Sequence, residues 1–148
     1  MSRIRRILHA TDFSRASGAA FAKAVELAKS NRAELLFVHV LTPVVPVVGD
    51  GYTSPKVYET LEASARAEGQ RRLNQLLAKA RKAGVRAKGF LVDGVPYEQI
   101  ARTAKSKKAG MIVIGTHGRT GLAKFVLGSV AGRVIAIAPC PVLTVRGR

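Results

Sequence analysis

A chain of 148 residues suits one compact domain, and 47% apolar side chains against 23% charged ones exclude an intrinsically disordered polypeptide. Twenty-five basic residues against nine acidic ones leave a net charge of +16. That surface attracts polyanions without choosing among a nucleotide, a nucleic acid and an anionic membrane, and high solubility alone is the plainer use of the same charge.

The opening MSRIRRILHATDFS is basic, but its apolar part is too short for a signal-peptide core. No later stretch has the length of a membrane span, so a cytoplasmic protein with no membrane partner is expected. Ile4 to Ala10 is short and apolar enough for a buried strand. Thr11-Asp12-Phe13-Ser14 breaks it, with Asp12 or Ser14 placed to cap a helix in which Phe21, Ala24, Val25 and Ala28 recur at helical spacing. Ala33 to Val40 (AELLFVHV) reads as the second strand. The proline- and glycine-rich LTPVVPVVGDGYTSP after it is long for a connection, which points to a lid or a partner contact. A long helix is expected over about Lys56 to Ala83, with Leu61, Ala65, Leu73, Leu76, Leu77 and Ala80 on one broad face. Gly69 inside it costs on the order of 1 kcal/mol relative to alanine. Gly84 ends that helix and VRAKGFLV gives the third strand. DGVP then turns the chain into a shorter helix around Tyr97 to Lys107, with Pro96 suited to its first turn. Met111 to Gly115 (MIVIG) is a fourth strand, Ser129 to Ala138 a helix and Pro141 to Val145 a last strand. Cys140, the single cysteine, stands between Pro139 and Pro141 and excludes an internal disulfide or a cysteine-based zinc cluster.

Strands and helices alternate along the whole chain with no dividing linker. The expected fold is therefore α/β: residues 1–148 as a single domain, an open twisted five-stranded parallel sheet with helices on both faces. In such sheets a ligand sits beyond the carboxyl ends of the strands, where the strand order switches direction. Gly115 leaves a strand end directly, where glycine permits torsions barred to other residues and a close ligand approach. Gly118 offers the same freedom, and Gly128-Ser129 opens a helix whose first N–H groups lack internal partners and carry partial positive charge. A phosphate chain between the two glycine clusters would satisfy those donors, with Arg119 or Lys124 adding charge. The spacing is neither G-x-x-x-x-G-K-[ST] nor G-x-G-x-x-G; on mechanism alone phosphate binding is favoured over glycines that merely shape a connection.

The spacing Gly115-x-x-Gly118, nine residues, then Gly128-Ser129 resembles the G-2x-G-9x-G-(S/T) motif of the universal stress protein family, in its ATP-binding branch. ATDFS at Ala10 to Ser14 resembles that family's first strand end, and APCPVLTVR at Ala138 to Arg146 its last strand. The resemblance spans nearly the whole chain. It implies a Rossmann-like sheet in order 3-2-1-4-5, with ATP lying across the ends of strands one and four. By position, Asp12 would face the ribose and the metal side, and Val40 would meet the adenine edge through its backbone. Gly115 would lie by the ribose, while Gly118, Gly128, Ser129 and Val130 would hold the phosphates with Arg119 nearby. Mg²⁺ would bridge phosphate oxygens, Asp12 being the one protein group placed to steady it. A homodimer paired through the last strand is also implied, and that strand as an exposed edge fits it. Ala131 departs from the Ser or Thr common in the family, a lost hydrogen bond of about 0.5–1.5 kcal/mol that weakens binding without abolishing it. Gly132 beside it is expected to loosen the first turn of the helix.

Three histidines, His9, His39 and His117, fall near the ends of adjacent strands, where converging imidazoles would suit zinc; as residues of apolar strands, His9 and His39 also read as hydrogen-bonded core groups. Asp12 also reads as a helix cap, and Phe13 and Phe125 as core or loop anchors. With 5% aromatics and no tryptophan, the pattern of a single-strand nucleic-acid binder is missing. No second carboxylate and no Ser-His-Asp arrangement supplies a hydrolytic base, so slow ATP hydrolysis at most is expected. The function expected is a nucleotide-dependent switch of the stress response, ATP ordering the 116–127 loop. The rival, from a different class, is a basic accessory protein that binds nucleic acid or an acidic partner beside a vestigial nucleotide site.

Overall fold

Among the described residues, runs of valine, isoleucine and leucine bounded by glycine, proline and charged residues form five strands, and alanine-rich amphipathic stretches form four helices. The computed structural model describes residues 3–43, 54–116 and 127–147. In chain order the elements are β1 (Arg6–Ala10), α1 (Ser17–Asn31), β2 (Glu34–Leu41), α2 (Pro55–Lys82), β3 (Ala87–Asp93), α3 (Pro96–Ser106), β4 (Met111–Gly115), α4 (Ser129–Ile137) and β5 (Val142–Val145). All pairings are parallel and the sheet order is β3-β2-β1-β4-β5, as the resemblance implies. Central β1 sets the register, with His9 opposite Phe37 on β2 and Val113 on β4.

The period-two alternation of the strands divides the core into two layers. Ile7, Leu35, Phe37 and Val113 face α1 and α2, where they meet Ala20, Ala24, Ala28, Leu73, Leu77 and Ala80. Leu8, Ala10, Leu36, Val38, Ile112 and Ile114 face α3 and α4, against Ile100, Ala104, Ala131 and Val134. The alanines matter because small side chains let a helix lie close to a sheet of branched residues. Two glycines bring α2 closer still. A Cβ on Gly89 of β3 would lie 2.9 Å from Leu73 Cγ, and one on Gly69 of α2 would lie 3.2 Å from Leu91 Cδ1.

One local expectation changes and another narrows from two residues to one. The broad apolar face of α2 packs only in its second half: Gly69, Leu73, Leu77 and Ala80 are buried, whereas Leu61 is 53% exposed. The first half overhangs the carboxyl end of the sheet, beyond the strands that could cover it. At the start of α1, Ser14 rather than Asp12 receives the Ser17 N–H on its hydroxyl, at 3.3 Å. The segment 42–54, read as a lid, lies mostly outside the described residues.

Candidate functional site

The carboxyl ends of β1, β2 and β4 open into a cavity of about 630 Å³, walled by α2 on one side and by the first turn of α4 on the other. That volume is in the range of sites for small organic ligands. Ala10, Val38, Val40, Ile100, Ile114 and Ala131 give it an apolar lining, and the polar groups come from loops and helix ends.

The β1–α1 connection is held in a fixed shape. Thr11 N–H donates to Val38 O at 3.0 Å, and the Thr11 hydroxyl accepts from Phe13 N–H at 3.0 Å. Asp12 Oδ1 accepts from Ser14 N–H at 2.8 Å, a turn that fixes the carboxylate on the cavity wall. Phe13 adopts φ 61°, a left-handed conformation that costs a bulky residue on the order of 1–2 kcal/mol. Its ring repays part of that by packing on His39, centroids 4.3 Å apart. His39 in turn donates from Nδ1 to Thr11 O at 2.8 Å. The strain is thus overdetermined by neighbours, the pattern found where a loop must hold a set geometry for a ligand.

At the other side, Gly115 closes β4 in extended conformation opposite Val145, and Thr116 N–H continues the ladder to Val145 O at 2.9 Å. Gly115 therefore does not use the barred torsions expected of it; among the described residues the glycines with positive φ are Gly84 and Gly94. Gly128 N–H donates to Thr116 O at 2.6 Å, which joins the two ends of the glycine loop. Gly128 has φ −56° and ψ 149°, open to any residue, so its lack of a side chain matters for approach rather than torsion. The ladder of α4 begins with Gly132 N–H on Gly128 O at 3.0 Å, which leaves the N–H groups of Ser129, Val130 and Ala131 without intrahelical partners. Among the described residues no side chain caps them, and no acidic residue occupies that turn. Ser129, Val130 and Ala131 all line the cavity, so their partial positive charge is available to an anion there.

Of the sequence-expected site residues, Asp12, Val40, Gly115, Gly128, Ser129 and Val130 converge on this one cavity. Gly118 and Arg119 lie outside the described residues, as do Lys124, His117 and Phe125. The imidazoles of His9 and His39 serve separate strands. His9 is fully buried, donates from Nδ1 to Val113 O at 3.0 Å and packs edge-on to Phe37, with burial pushing its pKa down to about 4. Among the described residues no group of three His, Cys, Asp or Glu side chains could hold a metal. Sequence reasoning missed the α2 wall. Ala65, Gly69 and Arg72 fall at i, i+4 and i+7, one helical stripe that a periodicity scan weighted toward small residues would have picked out. Arg72 lies over the Phe13 ring at 5.9 Å and bonds Glu68, whose carboxyl is held down to about 2 by hydrogen bonds from Arg71 and Arg72.

A cavity between the first and fourth strand ends, with a helix N-terminus opening onto it, is the setting that the glycine motif led us to expect. The profile of the universal stress protein family matches residues 3–146. The chain belongs to that family. It is 38% identical over 142 residues to Universal stress protein MJ0531 of Methanocaldococcus jannaschii, covering 96% of this chain and 82% of the relative. Among solved structures, the protein MJ0577 of the same organism superposes with a TM-score of 0.86 at 25% identity over 99% of each chain. A universal stress protein from Archaeoglobus fulgidus in complex with dAMP superposes with a TM-score of 0.66 at 26% identity, over 97% of this chain and 98% of that one. As in those universal stress proteins, the sheet here is the Rossmann-like five-stranded arrangement. No helix among the described residues is long and apolar enough to cross a membrane.

Proposed function

We propose that this universal stress protein binds ATP in the cavity and acts as a nucleotide-dependent switch of the stress response in the cytoplasm, with slow hydrolysis at most. The observation that carries the proposal is the meeting of Asp12, Val40, Gly115 and the uncapped first turn of α4 around one space of nucleotide size. The dAMP complex of the Archaeoglobus fulgidus relative supports an adenine nucleotide as the ligand class. The apolar lining beside Val40 suits a purine, whose edge would meet the main chain of Val40, the second-last residue of β2. Gly115 lets the ribose approach β4. Gly128, Ser129 and Val130 would receive the phosphates, the role the family motif also assigns to Gly118, with Arg119 as the added positive charge.

Mg²⁺ fits this donor set as an ion carried on the nucleotide. Among the described residues Asp12 and Glu68 are the carboxylates on the cavity wall, and Glu68 is engaged by Arg71 and Arg72. Asp12 would then be the protein group that holds the ion beside the nucleotide. When bound, Mg²⁺ supplies charge neutralisation between phosphate oxygens. Catalysis would need a positioned base as well, and Asp12 spends one oxygen on Ser14 N–H. We therefore assign a binding role and no catalytic residue.

Calorimetric titration with ATP, with and without Mg²⁺, tests the reading directly. One-to-one binding per chain is expected, tighter with Mg²⁺, and saturating ATP should raise the melting temperature by linkage. Gly128→Val places a branched side chain where phosphate must approach without disturbing a backbone any residue can adopt, so affinity should fall by at least about tenfold, roughly 1.4 kcal/mol, at unchanged melting temperature of the free protein. Absence of binding at millimolar ATP would sink the proposal.

A further inference from the structure

The charge of +16 is concentrated on one end of the molecule, the end away from the nucleotide cavity. In a parallel sheet with antiparallel crossover helices, the amino ends of the strands and the carboxyl ends of the helices share one face. Residues 3–6, 29–34, 79–88 and 105–108, which lead into β1 to β4, lie on that face. They carry thirteen lysines and arginines and one acid, Glu34. All thirteen cations are exposed. This end therefore holds twelve of the sixteen net charges, and the rest of the chain holds four.

Structural duties account for few of them. Glu34 is shared by Arg6 and Lys88, both at 3.7 Å, and among the described residues no other carboxylate reaches the group. Cations at the carboxyl ends of α1, α2 and α3 complement helix dipoles, but three helices offer only about half a negative charge each. Arg3, Arg5 and Arg86 lie on strand leads and Lys88 is the second residue of β3, where no dipole calls for them. Packing like charges this densely opposes folding, so the arrangement is favourable only with an anion on it. Several guanidiniums are oriented in advance: Arg6, Arg81 and Arg86 each donate one N–H to a main-chain carbonyl, of Lys107, Ala87 and Arg32, and keep further donors.

We infer that this face binds double-stranded nucleic acid through its phosphate backbone, without reading sequence. Its composition decides against other polyanions. Of the exposed large apolar residues among those described, Val57, Leu61, Val95 and Leu127 lie toward the opposite end, and only Ile135 and Ile137 in the last turn of α4 approach this face, too few to insert into a membrane or make the apolar centre of a protein interface. Among the described residues the face has no open aromatic ring to stack an unpaired base, since Lys107 covers Phe90 at 4.6 Å. A broad array of arginines and lysines around a shallow recess lined by Arg3, Arg5 and Lys108 is suited to regularly spaced phosphates. Strands of five to eight residues separate the face from the cavity by roughly 20 Å, so nucleotide and duplex do not compete.

Fluorescence anisotropy with DNA duplexes of about 20 base pairs in two unrelated sequences, and an RNA duplex of the same length, tests this with the full chain. Equal affinity for the two DNA sequences is expected, with a loss of about a thousandfold between 50 and 200 mM salt if some six phosphates are engaged. The RNA arm decides which duplex is preferred. Arg5→Glu with Lys108→Glu should weaken binding at least tenfold and flatten the salt slope by about two, while the same charge change at Lys56→Glu with Arg102→Glu should weaken it less than threefold. Circular dichroism confirms that both variants fold. Equal losses in the two variants, displacement of duplex by ATP beyond its ionic strength, or tighter binding to phosphatidylserine vesicles or polyglutamate than to duplex would each overturn the inference.

Discussion

At the scale of single residues, the molecule tolerates unfavourable groups where the fold or the site requires them. His9 is the clearest case. Its Nδ1–H has a carbonyl partner, but Nε2 is buried with none, amid Phe21 and Phe37. Burial opposes the charged imidazolium and lowers the pKa from 6.5 to about 4, against the small favourable effects of the Val113 carbonyl and Asp12. Between those two values the unfolded chain holds a proton that the folded chain does not, so stability rises with pH across this window. The contribution is complete above pH 6.5 and lost by about pH 4, a span of about 3 kcal/mol. Wild type should therefore lose stability steeply between pH 6.5 and 4.5 in urea titrations, and His9→Leu should lose distinctly less over the same range. Parallel curves for the two proteins would show that His9 is not the group responsible. Phe13 is the second case: a left-handed backbone that Thr11, His39 and the core hold in place beside Asp12.

At the scale of elements, α2 shows where a local rule and the tertiary structure disagree. Helix propensity alone predicts that replacing Gly69 stabilises the protein, since glycine is the poorest interior helix former after proline. In the fold Gly69 is buried where α2 crosses the ends of β2 and β3, and a Cβ there would stand 3.2 Å from Leu91 and 3.6 Å from His39 and Leu41. The two methyls of valine would overpack this contact, which costs about 1–3 kcal/mol and exceeds the few tenths gained in propensity. Gly69→Val is thus expected to lower the melting temperature by about 2–8 °C and to weaken nucleotide binding, because the same contact forms a cavity wall. A higher melting temperature would mean that propensity decides and that α2 has room to move. The second half of α2 and every strand were legible in the sequence, because their apolar period records a covered face. Leu61 was not, because an apolar residue at the right spacing looks the same whether a sheet lies opposite or the helix overhangs it. Gly115 and Gly128 were legible at the cavity through the fixed spacing of one segment, and Asp12 through the short ATDFS turn after the first strand. Arg72, Pro96 and Ile100 were not, since they reach the cavity only through the packing of elements remote in sequence.

At the scale of the whole molecule, the sheet order leaves two edges, β3 and β5, and they are unlike. Around β3, Arg86, Lys88 and Asp93 are exposed, and α2 packs close along the strand, so charge and cover discourage pairing. On β5, Val142, Leu143, Thr144 and Val145 are half-buried with no charge among them, and the preceding α4 exposes Ile135 at 48% and Ile137 at 49%. An apolar edge beside an apolar helix face is covered most simply by its own copy, since a two-fold axis matches both patches at once. The expected state is a homodimer of twice the 15.8 kDa chain mass, joined through β5. Val142→Asp sets two like charges close to the axis in a desolvated interface, which should cost several kcal/mol and give monomers at micromolar concentration in light scattering. Val142 also packs against the core layer that holds Val134, so the melting curve of the variant must show a folded monomer for the result to count. Thr144→Lys, also on β5 and outside both core clusters, supplies a second route to the same monomer. If both variants remain dimeric, the apolar edge is covered within the chain and the subunit contact lies elsewhere.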